Sequence, residues 1–251
     1  MKQTLFIFVL FLCVTVAAQT FELSIDTSKP SKKIKTGEDL ISAMFETYKN
    51  GPCKAYTFSQ KNTHYKNDSV AGNSVWHEAI EFPDKFRIDF GEKQAGKFVV
   101  FKNDSAYNYS NFVLKKKRPD TNSLLLILGG MYYRTYEESL KRLQAEGYDV
   151  KILSEQKKGK ETFYVIGALK DDTTKNQIWV HKSDLRVVRI LEKMDDGSIM
   201  DMSFDSYQKH CKGFVETKVT FKRNGKTEQV EEYYDIKEVD SFPDEVFNPK
   251  Q

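Results

Sequence analysis

The sequence predicts a mainly β protein: a curved antiparallel sheet of about eleven strands, with helices covering its concave face. Three observations carry this expectation. Long stretches alternate apolar and polar side chains, Asp-Gly and Asn-Gly pairs fall between them, and helical spacing occurs in only two places. Alternation with period two means a sheet with one buried and one wet face, the mark of antiparallel pairing.

The first place of helical spacing runs from Thr36 to Tyr48. Leu40, Ile41, Met44, Phe45 and Tyr48 fall on one stripe, Thr36 and Asp39 resemble a capping box, and Asn50-Gly51-Pro52 supplies a stop. The period then changes. Trp76, Ile80 and Phe82 alternate with His77, Ala79 and Glu81, and Phe86-Arg87-Ile88-Asp89-Phe90 alternates without a break. The same holds for Met200-Asp201-Met202-Ser203-Phe204 and for the run from Val215 to Phe221. Asp196-Gly197 and Asn224-Gly225 are strong hairpin signals. One stretch interrupts the strands. Asp120 or Ser123 can cap a short apolar helix that Gly129-Gly130 ends, and Tyr136, Leu140 and Leu143 then give a second helix its narrow apolar stripe.

The N-terminus reads as a secretory signal. Lys2 precedes an apolar run from Leu5 to Val16, and Val16-Ala17-Ala18 supplies small residues, so cleavage after Ala18 is expected. The run falls short of the roughly 20 apolar residues a membrane span needs. Cys13 lacks the small residues that precede a lipoprotein attachment site and belongs to the discarded signal. Residues 19–251 then form one domain, exported to the periplasm or beyond.

Charge excludes several classes. The 39 basic and 36 acidic side chains are interspersed. Lys115-Lys116-Lys117-Arg118 is the one dense basic run and reads as a solvated loop, so no nucleic acid is expected. A transmembrane barrel needs an uncharged outer band, against a chain that is 30% charged. Cys53 and Cys211 can form a disulfide in an oxidising compartment or remain two buried thiols, and two cysteines alone make a poor metal site. No metal or cofactor is expected.

A sheet this wide curls, and its own side chains do not fill the hollow. The cover must come from helices, a ligand or both. Trp76, Ile80, Phe82, Phe86, Ile88, Phe90, Met200, Met202 and Phe204 are expected on the concave wall, and Leu124, Leu125, Leu128 and Met131 on a lid. The competing expectation is that the helices complete an ordinary core and nothing binds.

Four segments in order resemble the LolA-like outer-membrane lipoprotein carriers and their periplasmic lipoprotein-sorting relatives. They are Phe58-Ser59-Gln60-Lys61, Phe82-Pro83-Asp84-Lys85-Phe86-Arg87-Ile88, the run from Val100 to Tyr109, and Phe242-Pro243 through Phe247-Asn248-Pro249. The resemblance implies an unclosed half-barrel, a helical lid and a hydrophobic cavity for acyl chains. It also implies a carrier of lipid, acyl chain or lipoprotein, expected as a monomer with a membrane-protein partner in the envelope. Where such carriers place an arginine before the proline to lock the lid, this chain has Phe82, and its helical insertion is longer. A generic lipid-binding relative fits this departure better than a lipoprotein shuttle. A periplasmic sensor of the same fold is the second expectation. An enzyme is the third and weakest. His64, His77, His181 and His210 are scattered, no Gly-x-Ser-x-Gly occurs, and although Glu78 and Glu81 can share a strand region and Asp195-Asp196 sits at a turn, alternation places most carboxylates on the wet face.

Overall fold

The computed structural model describes residues 33–49, 53–169 and 172–249. The expected signal sequence, with its cleavage after Ala18, and the expected stop at Asn50-Gly51-Pro52 lie outside the described residues.

Helix α1, Gly37–Tyr48, forms as its stripe dictates. The Asp39 N–H donates to the Thr36 hydroxyl at 3.1 Å and the Thr36 N–H to the Asp39 carboxylate at 3.2 Å, a reciprocal cap. Leu40, Ile41 and Met44 are buried.

Six strands follow as a meander: β1 (Ala55–Lys66), β2 (Ser69–Glu81), β3 (Lys85–Phe90), β4 (Phe98–Lys102), β5 (Ser105–Ser110) and β6 (Val113–Pro119). The insertion comes next: α2 (Ser123–Leu128), a 3-10 turn over Gly130–Tyr133, and α3 (Tyr136–Ala145). The second block comprises β7 (Leu153–Lys158), β8 (Glu161–Ile166), β9 (Gln177–His181), β10 (Val187–Lys193) and β11 (Ile199–Asp205). A ribbon of β12 (Gln208–His210) and β13 (Gly213–Val215) precedes β14 (Lys218–Arg223) and β15 (Lys226–Glu238).

The main sheet has 13 strands in the order β6-β5-β4-β3-β2-β1-β15-β14-β11-β10-β9-β8-β7, and β12-β13 form a separate pair. All the pairings are antiparallel, and β6 and β7 remain unpaired edges, so the sheet is a half-barrel and not a closed one. Three hairpins turn on Asn-Asp or Asn-Phe rather than on Asn-Gly. Asn67-Asp68, Asn103-Asp104 and Asn111-Phe112 hold positive φ at both turn residues, as Asn224-Gly225 does. Two left-handed residues match the twist of the flanking strands, and asparagine tolerates that region.

Two expectations are corrected locally. Asn122 caps α2, its side-chain oxygen accepting from the Leu125 N–H at 2.9 Å, while Asp120 accepts from the Asn122 N–H at 3.0 Å. Lys115–Arg118 lies on β6, not in a loop. Its exposed cations guard a free sheet edge against pairing with another chain.

Cys53 and Cys211 are joined by a disulfide with their Cα atoms 5.3 Å apart. The bridge ties the start of β1 to the β12-β13 ribbon across a sequence separation of 158. Among the described residues, no helix is long and apolar enough to cross a membrane.

Candidate functional site

The concave face has two parts. Beneath α1, α3 and one face of α2 it is filled: Leu40, Ile41, Met44, Ile127, Met131 and Leu143 pack onto Ile190, Met202, Phe204 and Val219 from the sheet. Beneath α2 lies a cavity of about 250 Å³. That is near the lower end of small-molecule sites, which run from roughly 300 to 1,000 Å³.

Register explains the cavity wall. Tyr56 of β1 faces Ile80 of β2, which faces Phe86 of β3, which faces Phe101 of β4. The adjacent row runs Phe58, Glu78, Ile88. Each row is set by the period of two, so every second residue of β2 from Trp76 to Phe82 points inward. On the far side, β14 and β15 contribute Phe221, Glu231 and Tyr233, with Glu216 entering just before β14. Leu124, Leu125, Leu128 and Asn122 close the top.

Of the residues expected on the wall, Trp76, Ile80, Phe82, Phe86 and Ile88 line this cavity, and so do Leu124, Leu125 and Leu128 from the expected lid. Five other expected residues do not line it. Phe90 packs edge-on behind Trp76, with ring centroids 5.0 Å apart, and does not line the cavity. Met131 lies past the end of α2 within the filled half. Met202 and Phe204 are buried in that same half and Met200 packs against it. They face inward as alternation requires, but helices already occupy the space above them.

The end of α2 is seated by aromatic contact. The Phe82 ring stacks on Tyr133 with centroids 5.7 Å apart and lies 6.2 Å from Tyr56. Gly129 sits directly on it: a Cβ there would fall 2.1 Å from the Phe82 Cζ. Gly130 is pressed as closely, since a Cβ would lie 2.5 Å from the Pro83 carbonyl oxygen. The Gly129-Gly130 pair therefore lets the end of α2 descend onto Phe82-Pro83. An ionic tie adds to this from the opposite direction, with the Arg134 guanidinium 2.8 Å from Glu138 and 3.7 Å from Asp84.

The floor of the cavity is not purely apolar. Glu78, Glu216 and Glu231 are all buried. Burial raises the Glu231 carboxyl to about 7, opposed by hydrogen bonds from the Tyr233 hydroxyl at 2.9 Å and the Gln229 amide at 2.6 Å. Burial likewise lifts Glu216 to about 7, opposed by its own backbone N–H and reinforced by the charge of Glu231. Glu78 is pushed well above the usual carboxylate range by burial and then by Glu231. Beside them, the buried Gln60 donates to Asn62 at 2.8 Å, leaving Gln60 Oε1 and Asn62 Nδ2 without a hydrogen-bond partner.

These glutamates are the residues that reading the sequence missed. Glu78 carried a signal, because it lies between Trp76 and Ile80 at the inward spacing. Glu216 precedes its strand and carried none.

The half-barrel with its helical cover is a LolA-like fold. The structure matches a LolA superfamily protein from Nitrosomonas europaea with a TM-score of 0.57 and 12% identity, covering 85% of this chain and 98% of that one. It matches a domain from Vibrio parahaemolyticus named for outer membrane lipoprotein sorting with a TM-score of 0.58 and 12% identity, covering 85% and 96%. A DUF1329 family protein from Desulfovibrio piger aligns with a TM-score of 0.57 and 14% identity, covering 84% and 95%. At such identities the likeness is one of fold. Neither a protein-family model nor a curated protein sequence matches the chain.

Proposed function

We propose that this protein is a carrier that holds a lipid, an acyl chain or the acylated end of a lipoprotein in the cavity beneath α2, in the periplasm or outside the cell. The observation that carries the reading is a hollow walled by Trp76, Ile80, Phe82, Phe86 and Ile88 and covered by a short helix whose leucines face it. Contact of this kind is non-directional, so an apolar body can replace the lid's own contacts one for one. Burying an acyl chain contributes about 0.8 kcal/mol per methylene before ordering costs. The wall binds by area and offers no arrangement of nucleophile and base, so we read it as a binding site rather than a catalytic one. The resemblance to lipoprotein-sorting folds supports the same reading, and delivery would then use a membrane protein of the envelope as partner.

The test is direct. Native mass spectrometry of protein purified without detergent should show a co-purified lipid, and the emptied protein should take up the neutral dye Nile red. Leu125 is buried against Phe82 and its neighbours, so Leu125→Asp should weaken dye binding roughly tenfold or more while the sheet stays folded. A wild-type protein that carries no lipid and takes up no dye would end the carrier reading. A folded Leu125→Asp variant with unchanged affinity would remove the lid from it.

A further inference from the structure

An apolar wall does not explain why three carboxylates share the same cavity. Glu78 is 6% exposed, Glu231 6% and Glu216 8%. Burying a carboxylate without a partner is costly, and such groups are ordinarily paired or hydrogen-bonded. Glu231 follows that rule through Tyr233 and Gln229. Glu78 does not: no hydrogen bond or ion pair from another described residue reaches its carboxyl, and it lines the cavity. Glu216 also lines it, engaged only by its own backbone N–H. One further acceptor, Gln60 Oε1, is buried nearby in the same band without a donor. The floor therefore presents three carboxyls and the Gln60 amide oxygen against few donors, namely the Asn62 amide nitrogen and the Tyr56 and Tyr233 hydroxyls, under a roof of leucines and aromatic rings.

Resting on the carrier reading, we propose that the ligand of this cavity is an amphiphile with a single apolar chain and a protonated primary amine at its head, the ammonium seated on Glu78 and Glu216. An ammonium supplies three donors and no acceptor, which complements that floor. Bringing a positive charge to the carboxylates also restores the pairing that burial took from them. A fatty acid meets the opposite situation, because its carboxylate would be buried beside further carboxyls with no cation to pair it. A fatty alcohol gains the apolar contact and one hydrogen bond but no charge pairing. The modest volume, about 250 Å³, suits one chain rather than several.

Three ligands of equal chain length separate these cases: dodecylamine, dodecan-1-ol and dodecanoic acid, each competed against Nile red on the full chain near neutral pH. The amine should bind roughly tenfold tighter than the alcohol, and the acid weakest, as expected for a hydrogen bond to a charged group. In Glu78→Gln and Glu216→Gln, with folding checked by thermal unfolding, that preference should shrink while alcohol affinity holds. If amine and alcohol bind equally in the wild type, or the acid binds best, the amine-headed ligand is wrong and the carrier reading stands. A preference that survives both substitutions overturns the seat on these carboxylates. If none of the three displaces the dye and the dye itself does not bind, the carrier reading falls first and the inference with it. The wild-type ranking decides even where a variant does not fold.

Discussion

The two halves of the concave face are built from one sheet with one alternation rule, yet one is packed solid and the other is hollow. Over β10, β11 and β14, the 12-residue α1 lays Leu40, Ile41 and Met44 onto Ile190, Met202 and Phe204. Over β1 to β3, the 6-residue α2 offers only Leu124, Leu125 and Leu128, while large rings at Trp76, Phe82 and Phe86 hold the walls apart. The packed half is closed mainly by apolar contact, with hydrogen bonds from Tyr136 to the Glu38 carbonyl and from Ser139 to the Met131 carbonyl at its rim. The hollow half adds a disulfide at the start of β1, a glycine pair seated on Phe82, and buried carboxylates. The difference teaches that alternation decides which way a side chain faces, whereas the length of the covering helix decides whether the space above it is filled.

The largest expected effect would break this comparison outright. Phe204 is 2% exposed in the packed half, so Phe204→Ala should cost about 3–5 kcal/mol through lost transfer energy and a residual cavity. Ile88 borders a hollow that already exists, so Ile88→Ala opens little new void and should cost less than about 2 kcal/mol. Denaturant midpoints at constant m-value give both numbers. Equal losses would mean that the two halves are packed alike.

How much of this was legible in the sequence follows from the same physics. The sheet, α1 with its cap, and the inward facing of Trp76, Ile80, Phe82, Phe86 and Ile88 could all be read, because each depends on local periodicity. Met202 and Phe204 face inward as alternation requires, but nothing local records which helix crosses above a strand, and so whether the space over them is filled. Glu78 was readable from its spacing between Trp76 and Ile80, but the expectation that carboxylates face water concealed it. Glu231 was hidden by its neighbour Glu232, which does face water, so charge occurs on both faces of β15. The pairing of Cys53 with Cys211 depends on a distance that only the tertiary fold sets.

A pH titration sharpens the contrast, because three of the buried carboxylates among the described residues, Glu78, Glu216 and Glu231, line the hollow half. Glu216 and Glu231 rise from about 4.5 to about 7 on folding. A carboxyl raised in this way contributes stability that is complete below its unfolded value and is lost as pH climbs through its folded value. Stability should therefore fall between about pH 5 and pH 8, by roughly 3 kcal/mol for a single such group. Glu231→Gln should flatten that slope and be more stable than the wild type at pH 8. Phe204→Ala, acting in the packed half, should lower stability about equally at both ends. A Glu231→Gln protein with the wild-type slope would show that Glu231 is not strained by its burial.

The smallest effect tests how the hollow half keeps its lid. Gly129 has φ near −174°, an extended conformation open to any residue, so substituting it adds no backbone strain. The cost is one of space. The new methyl would meet the Phe82 ring, which Tyr133 and Tyr56 flank. Gly129→Ala should cost about 1–3 kcal/mol, the usual penalty of overpacking. Phe82→Leu in the same chain should recover much of that penalty, giving a coupling of roughly 1 kcal/mol or more in a double-mutant cycle. Dye affinity should move with stability, since the same contact seats α2 over the cavity. If Gly129→Ala is neutral, or its cost is undiminished beside Phe82→Leu, then the lid does not rest on that ring. The tie from Arg134 to Asp84 would then be left as the contact that holds the insertion to the β2-β3 turn.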